Sequence, residues 1–208
     1  MNYTTADYLE SLQDDLGTIN TSLNLSSGTN FTDIATMAQN GQISAGGGAD
    51  LSDYFKSEIT YGTSSKPGWK ELAKKVPSPL TITSGNCSYM FSGYTGTEIP
   101  TLNVQSGVTI TNCTYMFNSC RQATEIDLSN LDLSNVTDVT YMFYYCQVVT
   151  KIDIRTLDNT KITSSSQMMG YIPSNCLVIV KDDAFKTWLK NKFYSLTNIK
   201  TVAEYEAS

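Results

Sequence analysis

The chain has 208 residues, enough for one or two domains with a real core, and carries a formal net charge of −6. It has no basic stripe to neutralise phosphates, which argues against nucleic-acid binding and against anionic membrane surfaces. It contains no histidine, so it lacks the commonest general acid/base, the usual partner of a Ser or Cys nucleophile, and the commonest metal ligand.

Only 16% of residues are charged, with Ser, Thr and Asn in their place. A surface of neutral hydrogen-bonding groups is common in extracellular and virion proteins. The opening Met1-Asn2-Tyr3-Thr4-Thr5-Ala6-Asp7 has neither a basic nor an apolar region of the signal-peptide kind. No stretch approaches the roughly 18 apolar residues of a membrane span.

In chain order, the first predicted element is a helix over residues 7–24. Leu9, Leu12, Leu16, Ile19 and Leu23 step by three and four, the seam of a heptad. Two to three heptads do not hold a solitary helix in water. The seam is expected either to pack on the chain's own body or to form a short coiled coil, joining copies or docking on a larger assembly. Phe31, Ile34, Met37 and Ala38 mark a second short helical piece that ends at Asn40-Gly41. These two pieces define a helical anchor over 1–43. Residues 44–50, with Gly46-Gly47-Gly48, read as a linker. No Gly-Lys-Ser/Thr comes after it, so this is not a phosphate loop.

The domain over 51–208 opens with a short helix whose face is Trp69, Leu72, Ala73 and Val76, between Pro67 and Pro77. It is expected to cap the first coil of a repeat array. Tyr89-Met90-Phe91, Tyr115-Met116-Phe117 and Tyr141-Met142-Phe143 recur at intervals of 26 residues, with Gln167-Met168-Met169 as a weakened fourth copy. A strict period in this range marks a solenoid, in which each unit buries its apolar face on its neighbours. Within each repeat, Glu125 to Leu128 alternates as a half-buried strand with Ile126 and Leu128 inward, above Ile152 and Ile154. Val136, Val139, Met142 and Phe143 fall at a helical interval and predict a short helix or 3₁₀ turn opposite the strand. The repeats span about 80–175. Leu177 to Val180 reads as a strand, and Asp182 or Asp183 as the cap of a helix facing inward through Phe185, Trp188, Leu189 and Phe193. This segment, 177–205, is the expected C-terminal cap.

The five cysteines follow the period: Cys87 with Cys113, and Cys120 with Cys146. A disulfide framework and a ladder of buried thiols both fit. Val139 on the rung after Cys113 favours the ladder. Without histidine or Cys-x-x-Cys, no metal site and no cofactor is expected. The Asn-x-Ser/Thr sequons at Asn24, Asn86, Asn112 and Asn135 read as chance in so polar a chain.

The outward strand residues should form three columns: Ile99, Glu125, Lys151; Thr101, Asp127, Asp153; and Asn103, Ser129, Arg155. Glu125, Asp127, Lys151, Asp153 and Arg155 are a candidate ligand face, weighed against ordinary solvated strand residues. The repeat tyrosines, with Tyr144 and Tyr145, are a second candidate face. Carboxylates on a flat strand face lack the cleft that glycoside hydrolysis needs, so Asp127 and Asp153 are not expected to catalyse.

The run Asn135-Val136-Thr137 through Tyr141-Met142-Phe143 to Cys146, with Ile126-Asp127-Leu128-Ser129-Asn130, resembles the BspA-type leucine-rich repeat of bacterial surface proteins. The first copy departs from it, with Tyr94 in the cysteine place and Pro100 in the strand. The Thr5-Ala6-Asp7-Tyr8-Leu9 opening and the glycine tract are similar to the starts of phage structural proteins. Together these resemblances imply an α/β solenoid: a leucine-rich-repeat-like parallel β stack with helical caps, behind a short N-terminal helical anchor. They imply a virion protein that is not an enzyme, a homo-oligomer bound to other virion proteins through Leu9, Leu12, Leu16, Ile19 and Leu23. Its repeats would contact a host-surface glycan or protein, with no nucleic acid and no membrane insertion. A bacterial surface adhesin fragment is the rival.

Overall fold

The computed structural model describes residues 58–72 and 79–208. The predicted anchor over 1–43, with its seam residues, and the linker 44–50 lie outside the described residues. Within them, short strands alternate with tight turns, coil upon coil. The strands are β1 (Glu58–Ile59), β2 (Leu80–Ile82), β3 (Leu102–Val104), β4 (Glu125–Asp127), β5 (Lys151–Asp153), β6 (Leu177–Val180) and β7 (Ile199–Thr201). All pairings are parallel, in the orders β1-β2-β3 and β4-β5-β6-β7. The fold is therefore a parallel β-solenoid.

The central register follows the sequence period. Ile126 pairs with Ile152 and Asp127 with Asp153. Ile126, Leu128, Ile152 and Ile154 are all fully buried in one continuous core. Burying each such side chain is worth about 1.5–3 kcal/mol, and the stack shares that gain between neighbouring coils.

The first repeat departs from the expected register. Glu98, not Ile99, bridges to Glu125, so the first copy is shifted by one residue in the strand columns. Pro100 supplies the reason. It has no N–H to donate, so pairing toward β4 stops beside it. The chain instead pairs backward, β3 on β2. The Asn130 amide donates to the Leu102 carbonyl at 2.7 Å, so a side chain stands in for the missing ladder.

Neither the short helix nor the 3₁₀ turn predicted from Val136, Val139, Met142 and Phe143 forms. These side chains are buried as expected, but the backbone makes successive turns. In one coil Met116 N–H donates to Cys113 O at 3.1 Å and Cys120 N–H to Phe117 O at 3.2 Å. The third residues of these turns, Tyr115 and Ser119, have φ of 55° and 60°, the mark of type II turns. The same positions repeat as Tyr89, Tyr141 and Gln167, and as Gly93, Tyr145 and Tyr171. Glycine meets this need without cost at one of the eight.

The stack holds the others. Cys113, Tyr115, Phe117 and Ser119 donate their N–H groups to the carbonyls of Asp138, Thr140, Met142 and Tyr144 in the next coil, at 2.7–2.9 Å. A left-handed Tyr costs about 1–2 kcal/mol. An inter-coil hydrogen bond at about 1 kcal/mol and a ring stack at about 0.5–1.5 kcal/mol offset that cost.

Helices are few and flank the repeats. The predicted helix after Pro67 is a single 3₁₀ turn, Gly68–Glu71, and residues 73–78 lie outside the described residues. After β6 comes α1 (Asp183–Lys192), N-capped by the Asp182 carboxylate accepting from Phe185 N–H at 2.9 Å. It buries Phe185 and Leu189. Beyond β7, α2 (Val202–Glu206) starts with a capping box between Thr201 and Glu204.

All five cysteines are free thiols, buried within the coils. Cys120 and Cys146 Sγ lie 3.2 and 3.1 Å from the carbonyls of Phe91 and Phe117. The ladder of buried thiols is the arrangement found.

Candidate functional site

The strand face contains the expected column residues. Lys151 Nζ lies 2.8 Å from Glu125 Oε2, directly across the β4–β5 ladder. Asp127 and Asp153 are neighbours in register, yet their surroundings differ. Asp153 is 2% exposed. Arg155 grips it: Nη2 is 2.7 Å from Oδ2 and Nε is 3.0 Å from Oδ1. Asp127 is exposed and accepts from Ser129 N–H at 2.9 Å. Partial burial disfavours its charge, but the Ser129 hydroxyl and N–H, with Lys151 and Arg155, outweigh burial and hold its carboxyl below the ordinary range.

Arg155 also reaches Glu206 of α2, Nη1 to Oε1 at 3.4 Å. The charges of this face are thus mostly committed to one another. Asp127 is the carboxylate of this face that takes part in no ion pair among the described residues.

The turn side carries an aromatic array. Tyr89, Tyr115 and Tyr141 stack with centroids 4.7 Å apart at both steps and planes within 10° of parallel. Behind them, inside the core, Phe91, Phe117 and Phe143 stack at 5.5 and 5.8 Å. Tyr144 meets Tyr141 edge-on at 4.9 Å, and Tyr145 edge-on at 4.6 Å. Tyr145 in turn stacks on Tyr171 at 4.5 Å, and the Arg121 guanidinium lies 5.4 Å from the Tyr145 ring centre. Partial burial, then the neighbouring phenols, push Tyr115 and Tyr144 above the ordinary tyrosine value. They are hydrogen-bond donors at neutral pH.

Tyr144 and Tyr145 therefore belong to the turn ladder, whereas Glu125, Asp127, Lys151, Asp153 and Arg155 belong to the strand ladder. The structure gathers the candidate residues into two separate groups. Tyr171, 61% exposed, and Arg121 extend the aromatic group and were not singled out from the sequence. Tyr171 lies one period after Tyr145, and that spacing was the available signal.

The sequons at Asn86 and Asn112 have a structural role. Their Oδ1 atoms accept from Ser88 and Thr114 N–H at 3.0 and 2.8 Å, as Asp138 does from Thr140 at 2.9 Å. Each is an Asx turn that opens the turn side of its coil.

Among the described residues, no helix is long and apolar enough to cross a membrane. No curated protein and no solved structure matches the chain. Residues 81–177 match a family model described as "Mycoplasma protein of unknown function, DUF285". That match and the parallel solenoid built by the same stretch fit a BspA-type repeat domain.

Proposed function

We propose that the protein is a non-enzymatic structural component of a phage particle, on which the repeat domain faces outward and attaches to the host surface. Segment 1–43 holds it to other virion proteins or to further copies of itself. The observation that carries the attachment role is the tyrosine array. Tyr89, Tyr115 and Tyr141 sit on backbone that tyrosine rarely adopts, held in a fixed 4.7 Å stack. Rigid phenols with free hydroxyl edges contact a glycan or protein at low entropic cost.

Two experiments test the reading. Gold-labelled antibody to the protein should decorate purified particles from a producing lysate. Fluorescently labelled chain should bind host cells and lose binding on Tyr144→Ala with Tyr171→Ala. Particles without label, together with cells that bind the double variant as well as the original, would overturn it.

A second reading is a fragment of a bacterial surface adhesin built from the same repeats. The family description, which refers to Mycoplasma proteins, favours it. Antibody labelling of producing cells before lysis, in place of particles, would select it.

A further inference from the structure

Both tyrosine columns of the turn side end at the fourth coil, and they end differently. In the first column Gln167 stands one period after Tyr141, so the stack of Tyr89, Tyr115 and Tyr141 stops at a side chain that is not aromatic. In the second column Tyr145 is covered on both sides. Arg121, from the coil before, lies 5.4 Å from its ring centre, and Tyr171, from the coil after, stacks on it at 4.5 Å with planes 6° apart.

Tyr171 has no such second neighbour. Among the described residues its ring meets Tyr145 face to face and Tyr144 edge to face, at 5.3 Å and 89°. One period further on stands Thr197, which has no ring to offer. Tyr171 is 61% exposed. The column therefore ends on a free phenol face.

Gly170 brings a polar group to that place. A Cβ on Gly170 would stand 2.6 Å from Gln167 Oε1 and 2.7 Å from Tyr144 Cδ2. The Gln167 amide and the Tyr144 ring thus close over the residue next to Tyr171, at a distance that glycine alone permits. Gln167 is exposed, and its amide carries two donors and an acceptor. Tyr171 itself is held by its turn backbone, with φ of 58°, and by the stack on Tyr145. A ring fixed in advance loses little freedom when a ligand arrives.

We propose that this end of the ladder binds a pyranose ring of a glycan, which stacks one C–H face on Tyr171 and hydrogen-bonds its rim hydroxyls to the Gln167 amide. The assignment rests on the attachment role proposed for the tyrosine array and narrows its partner from a glycan or protein to a sugar. An aromatic ring is negative over its face, and the C–H bonds of a sugar, polarised by their oxygens, turn positive hydrogen toward it. The hydroxyls at the sugar's rim need partners once water leaves. An amide offers a donor and an acceptor side by side, which suits two adjacent hydroxyls. A quaternary ammonium would use the ring and leave the amide idle, and it favours a cage of several ring faces. Here Tyr145 already fills the other face of Tyr171. One ring face also falls far short of the roughly 800 Å² per partner of a stable protein interface.

The test is a titration of the full chain with methyl β-glucopyranoside and methyl β-galactopyranoside, with sorbitol and tetramethylammonium as controls. Saturation-transfer and amide proton–nitrogen spectra supply the readout. A glycoside should shift Gly170 and Tyr171 saturably, with a dissociation constant on the order of 1–10 mM, and saturation should concentrate on the ring protons of one face. Sorbitol has the hydroxyls without the ring and should not bind. Tyr171→Phe should bind as the original does, and Tyr171→Ala should lose binding with the rest of the spectrum unchanged. Gln167→Asn keeps a residue that tolerates positive φ but draws the amide back, and should weaken binding severalfold. No saturable shift with either glycoside up to about 100 mM, an equal response to sorbitol, or a stronger one to tetramethylammonium would overturn the proposal. The attachment role is read separately. Host cells that bind labelled chain through Tyr171, when neither glycoside binds, keep attachment and reject the sugar; glycoside binding by a chain that no host cell binds keeps the sugar and rejects attachment.

Discussion

Arg155 closes on Asp153 with Nη2 and Oδ2 2.7 Å apart, and among the described residues this is the ion pair whose carboxylate is most deeply buried. Asp127 lies beside it in register, but the second carboxylate that the guanidinium reaches is Glu206, Nη1 to Oε1 at 3.4 Å. Removing the partner of a buried charge is far costlier than never placing the pair, typically about 3–5 kcal/mol. Arg155→Ala should lose stability on that order in urea unfolding. The double variant Asp153→Asn with Arg155→Ala should recover a large part of it. Equal midpoints for the two variants would show that the loss comes from Arg155 packing rather than from the stranded charge.

The tyrosine stack makes a prediction about order rather than size. Tyr115 has a ring on each side at 4.7 Å and φ of 55°. Tyr115→Phe keeps both stacks and should stay within about 0.5 kcal/mol of the original. Tyr115→Ala loses both, at about 0.5–1.5 kcal/mol each, and keeps the left-handed strain. Tyr115→Gly loses the stacks but relieves the strain. The expected order of urea midpoints is Phe, then Gly, then Ala. Alanine above glycine would contradict the backbone account.

Acid sensitivity should come in part from Asp158. The Thr160 hydroxyl, the Thr160 N–H and Lys181 hold its carboxyl down to about 2, from an ordinary 3.8. A depressed folded value stabilises the fold at pH above the unfolded value. That contribution fades as pH falls from about 3.8 through about 2. Asp158→Asn should therefore flatten the melting temperature between about pH 4 and about pH 2 relative to the original, with Asp127, Asp132 and Glu204, also lowered, supplying what slope remains. Parallel profiles for the two chains would remove Asp158 from the account.

The buried thiols should be inert in the native state. The hydrogen bond that the Cys113 thiol makes with Cys87, then burial, raise Cys113; burial and then Cys146 raise Cys120; burial pushes Cys176 up to about 12. At pH 8 an aromatic disulfide reagent should find almost no reactive thiol in the folded chain and all five after unfolding in denaturant without reductant. Fewer than five after unfolding would mean that disulfides form.

Much of this fold was legible in the sequence. The period of the Tyr-Met-Phe triplets located the coils, and the alternation around Ile126 and Ile152 placed β4 over β5 correctly. The turn side was misread because inward residues spaced three and four apart arise from tight turns as readily as from a helix. Nothing in a tyrosine announces positive φ. That conformation is imposed by N–H groups bonding across coils, which no local propensity encodes. The first repeat misled for a nameable reason: Pro100 blocks the ladder, so the register slips from Ile99 to Glu98. The division of candidate residues between strand ladder and turn ladder came from the period. The pairing of Arg155 with Asp153 and Glu206 did not, since Glu206 arrives from a helix 51 residues away.

By itself the sequence determined the repeat length, the parallel stacking and the identity of the buried ladder residues, because each stems from recurring apolar positions that only a neighbouring coil can cover. The tertiary structure decided the backbone of the turn side, the neutralisation of Asp153 and the free ring face of Tyr171. Each of those depends on which partner the fold brings alongside or leaves out, and a partner a whole coil away leaves no mark on the residues that need it.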